Sequence, residues 1–167
     1  MSSIKPSWSE RKLPPFFTQW REEWKDPELI PENYLDFEGG LHFVLAAAWL
    51  FCPETIEYRS CVFLKEYFDQ ETVDNWFVSL GNDRERIEAV TNQVNLWSVF
   101  TNTLAKGESQ LRDEIPQLAM ALGECWQGIL ASRYPDLEIC VRVSDEEDGS
   151  YGPTVTFYVA RVNADFG

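Results

Sequence analysis

Residues 41–51, LHFVLAAAWLF, contain no charged side chain and hardly a polar one. Three consecutive alanines, Ala46, Ala47 and Ala48, favour a helix there. A helix apolar on every side must be covered by other elements. Eleven residues are too few to cross a bilayer, which takes about 20. Pro53 ends the run, because the residue before a proline is pushed out of the helical region. Residues 55–64 then change character, with Ile56, Tyr58, Val62 and Phe63 favouring a strand. A buried helix followed at once by a buried strand predicts a two-layer α+β domain.

The remaining elements extend that reading. Asp69 caps a predicted helix over 70–80 with Val73, Trp76, Phe77 and Leu80 on one stripe, and Gly81 closes it. Asn82 or Asp83 caps a further predicted helix that runs to about 102 on Ile87, Val90, Val94 and Trp97. Pro116 fits the first turn of another helix, with Leu118, Leu122, Cys125 and Ile129 as its stripe and Trp126 and Leu130 alongside. Gly123 and Gly128 permit close packing on that helix. Two alternating segments, 137–143 and 154–162, read as a hairpin around an acidic loop. The expected architecture is one small antiparallel sheet, the central strand plus this hairpin, covered by four to five helices. One domain over 26–167 would follow an N-terminal arm over 1–25.

The arm is set apart by composition. It has five basic residues against three acidic ones, so +2, which leaves −16 of the chain's −14 for the rest. Trp8, Trp20 and Trp24 interleave with those charges and predict an arm that docks on the acidic body or on a neighbouring subunit. Residues 26–40, punctuated by Pro27, Pro31, Gly39 and Gly40, read as a mobile connection.

The net charge of −14 excludes classes of partner. An acidic surface repels phosphate backbones and anionic lipid, so neither nucleic acid nor membrane is expected. A basic protein is the favoured partner, because opposite charge speeds encounter. Asp145, Glu146, Glu147 and Asp148 in the hairpin loop, with the arm tryptophans, are the candidate partner-binding residues. Consecutive acids lack the alternate-residue spacing of a calcium loop, so no metal is expected. Cys52, Cys61, Cys125 and Cys140 form no CxxC pair and no zinc spacing. No cofactor is implied. The start of the sequence lacks the apolar run of a signal peptide, which predicts a reducing cytoplasm.

Chemistry-bearing residues are few. His42 is the only histidine and lies in the central helix. No nucleophile or carboxylate motif surrounds it, so a structural histidine is the favoured reading. Asn92 and Asn95 fall inside the predicted 82–102 helix, where asparagine competes for backbone hydrogen bonds. With Tyr58 they complete the candidate ligand-binding set.

Three pieces, FCPETIEYRSCVFL (51–64), NQVNLW (92–97) and YPDLEICVRV with PTVTFYVAR (134–143, 153–161), resemble a set of short acidic bacterial proteins of unassigned function. The resemblance spans 41–161. It implies a bacterial cytoplasmic origin and a shared fold, and carries over no activity and no catalytic residue. In composition the chain is similar to bacterial immunity and antitoxin proteins. The sequence therefore favours a non-enzymatic acidic interaction module, immunity- or antitoxin-like or regulatory, with a homodimer through the arm or a sheet edge compatible. The alternative is a small-molecule binder or small enzyme with a pocket between sheet and helices.

Overall fold

The structure, a computed structural model, describes residues 14–104, 110–144 and 152–161. The chain forms two compact units, Met1–Phe51 and Cys52–Gly167. The division falls at Phe51, whereas composition changes at Lys25.

In the first unit, Pro15 occupies the opening position of α1 (Pro15–Trp24), where its missing N–H costs nothing. Lys25 turns the chain with φ 54°. Residues 26–40 are more ordered than their prolines predict. Pro31 opens α2 (Pro31–Tyr34), and the Asn33 side chain accepts from the Ile30 N–H at 2.9 Å. A π-helical turn, Leu35–Gly39, follows, and Gly40 at φ 68° redirects the chain into α3 (Gly40–Phe51). The arm's aromatic residues are used here. Trp20 is buried, lies 5.1 Å edge-on from Tyr34, and donates its indole N–H to Glu38 at 3.0 Å. Trp24 stacks on Phe37 at 5.1 Å. Residues 16–24 therefore dock on residues 34–38 of their own unit.

The expectation that α3 is wrapped fails. Leu41, Phe43, Leu45 and Trp49 are 71%, 60%, 54% and 69% exposed.

The second unit is α+β, with its strands in two small antiparallel sheets rather than one. The central segment is a hairpin, β1 (Thr55–Tyr58) and β2 (Cys61–Leu64), in register from Thr55↔Leu64 to Tyr58↔Cys61. Its two-residue turn places Arg59 and Ser60 at φ 51° and 61°, the left-handed pair that matches strand twist. After a 3₁₀ turn come α4 (Gln70–Ser79) and α5 (Arg84–Thr91). Asp69 and Asp83 cap them, accepting from the Thr72 and Arg86 N–H groups at 2.8 and 3.1 Å. Gly81 takes φ 62° between them.

The helix expected to reach residue 102 stops at Thr91. A short strand β3 (Val94–Asn95) and two single-turn helices, α6 (Leu96–Val99) and α7 (Thr101–Leu104), follow. Val94 is buried on the strand, while Val90 is 40% exposed, so the apparent stripe crossed a break. α8 (Gln110–Arg133) begins upstream of Pro116 and carries it internally. Leu122, Trp126 and Leu130 are buried on the expected side, and Ile115 and Ala119 join them, whereas Leu118, Cys125 and Ile129 are only half-buried. β4 (Ile139–Ser144) and β5 (Thr154–Val159) pair as foreseen, and the second sheet runs β3-β5-β4.

Two apolar clusters result. Cys61 and Phe63 meet Val73, Phe77 and Ile87. On α8, Trp126 meets Phe157 edge-on at 6.1 Å. A Cβ on Gly123 would come within 2.5 Å of Val143, so only glycine lets α8 approach β4 this closely. Gln127 covers part of the outer edge of β4, donating to the Ile139 carbonyl at 2.9 Å and accepting from the Val141 N–H at 3.1 Å.

Candidate functional site

The second unit has a polar centre, built by α5. Glu88 and Asn92 lie four residues apart, hence on one helix face, and both are completely buried. Buried polar groups must be satisfied, or each costs about 1–3 kcal/mol. Here each side-chain polar atom of the pair finds a partner. One Glu88 oxygen accepts from the Val62 N–H (2.8 Å) and Arg161 Nη2 (3.0 Å). The other accepts from the Val159 N–H (2.9 Å) and Arg161 Nη1 (2.7 Å). Asn92 accepts from the Leu64 N–H (2.8 Å) and donates to the carbonyls of Val62 (2.9 Å) and Phe157 (3.1 Å). Arg161 also donates to the Ser60 carbonyl at 2.8 Å.

These bonds explain why the sheet is split. β2 and β5 present backbone groups that a single sheet would pair with each other. Instead α5 inserts a carboxylate and an amide, which reproduce the missing ladder from the side. The central hairpin and the terminal hairpin are thus joined by side chains. Asn92, expected as a ligand-binding candidate, is bonded instead to strand backbone. It lies at the C-terminal end of α5, and its task is to hold three backbone groups. Glu88 and Arg161 were missed. The available signal was an acid four residues before an asparagine, and an arginine directly after an apolar strand.

The other candidates take separate places. Asn95 caps α6, accepting from the Ser98 N–H at 2.9 Å. Tyr58 donates to Asp74 at 3.0 Å, and the same carboxylate oxygen pairs with Arg59 at 3.1 Å. The Arg59 guanidinium also lies over the rings of Tyr58 and Phe77, 5.5 and 5.0 Å from their centroids. His42 is exposed on α3 in the first unit. Of the arm tryptophans, Trp20 and Trp24 are placed as described above. Trp8 and the loop acids Asp145, Glu146, Glu147 and Asp148 lie outside the described residues.

Burial pushes the Cys61 thiol up to about 11, with the Glu88 carboxylate adding to the effect. A thiol at that value is protonated at neutral pH and is no nucleophile. A shallow depression of about 530 Å³ on α8 is lined by Glu124, Cys125, Gly128, Ile129, Ser132 and Arg133. It gathers none of the candidate ligand-binding residues. Among the described residues, no three of His, Cys, Asp and Glu are grouped to hold a metal, and no helix is long and apolar enough to cross a membrane. The chain matches no family model, no curated protein and no solved structure.

Proposed function

We propose that this chain is a non-enzymatic, acidic protein-interaction module that binds a basic protein, in the manner of an immunity, antitoxin or regulatory protein of the bacterial cytoplasm. The observation that carries the reading is the charge left on the surface of residues 54–74 once their ion pairs are counted. From Glu54 to Asp74 the chain has six acids and two bases. The two bases are engaged, Lys65 with Glu54 at 2.6 Å and Arg59 with Asp74 at 3.1 Å. Glu57, Glu66, Asp69 and Glu71 remain, all exposed. The buried Glu88 and Asn92, by contrast, are committed to strand backbone and to Arg161. Charge that stays on the surface steers an oppositely charged partner and sets its association rate. The four cysteines, none in a disulfide, fit a reducing compartment.

Capture from a source-cell lysate with the tagged full chain tests this. A stoichiometric basic protein should bind at about 50 mM salt and be lost at about 1 M, where the screening length falls to roughly 3 Å. A retained partner that is acidic, or one indifferent to salt, contradicts it.

A further inference from the structure

We draw no further inference here: the strongest candidate, the cluster of Arg59, Arg84 and Arg161 around the β1–β2 turn, belongs to the polar centre already described, since Arg161 is bonded to Glu88 and the Ser60 carbonyl, Arg84 to the Arg59 carbonyl and Arg59 to Asp74.

Discussion

Glu88 shows how one side chain can stand in for a piece of β-sheet. Its carboxylate is fully buried against two backbone N–H groups and the Arg161 guanidinium. Removing one partner of a buried pair leaves the other uncompensated, at about 3–5 kcal/mol. Glu88→Gln should therefore lower the urea-unfolding free energy by about that amount. Asn95→Ala, which removes a helix cap, should cost about 1 kcal/mol. Cys61 gives a pH signature of the same site. Its raised value means that the folded state keeps a proton which the unfolded chain releases near about 8.5. The resulting stability is whole below that pH and is lost as pH rises toward about 11. Urea midpoints of Cys61→Ala should decline less than those of wild type over that interval. Asn92 was legible because an asparagine in an apolar pattern is out of place. Glu88 was not, because an acid between Ile87 and Ala89 reads equally well as the solvent side of a helix.

Elements with chemical punctuation were the legible ones. Asp69 and Gly81 bracket α4 as the capping rules require, and the β4–β5 alternation is reproduced in its pairing. The β1–β2 hairpin was read as one strand because its turn is Arg59-Ser60, with none of the Asn or Gly that marks a left-handed pair. Arg59 is held there by Asp74 and the rings of Tyr58 and Phe77. Ser60 makes only backbone use of the turn in the contacts described, so Ser60→Gly should relieve left-handed strain and add about 0.5–1 kcal/mol of stability. Chemical denaturation measures that gain, and no gain would mean that the turn is not strained. At the helix–sheet contact the sign reverses. Gly123→Ala drives a methyl into Val143, and overpacking of this kind costs about 1–3 kcal/mol. The 82–102 misreading has a physical cause as well: Ile87, Val90, Val94 and Trp97 keep helical spacing across a boundary that Asn92 creates by bonding to strand backbone.

At the scale of the whole molecule, the charge balance was legible from composition and the division of labour was not. A run as apolar as α3 reads as core from sequence, whereas Leu41, Phe43, Leu45 and Trp49 are more than half exposed. The second unit holds Glu88 and Asn92 against its own strand backbone and leaves Glu57, Glu66, Asp69 and Glu71 on its surface, and the proposed basic partner rests on that surface charge. Capture by wild type and by a Glu57→Lys, Glu66→Lys, Glu71→Lys variant, compared side by side at about 50 mM salt, tests this most directly. The account predicts a basic protein bound stoichiometrically by wild type and at least about tenfold less by the variant, with dichroism unchanged in both. Equal capture by the two proteins would contradict it.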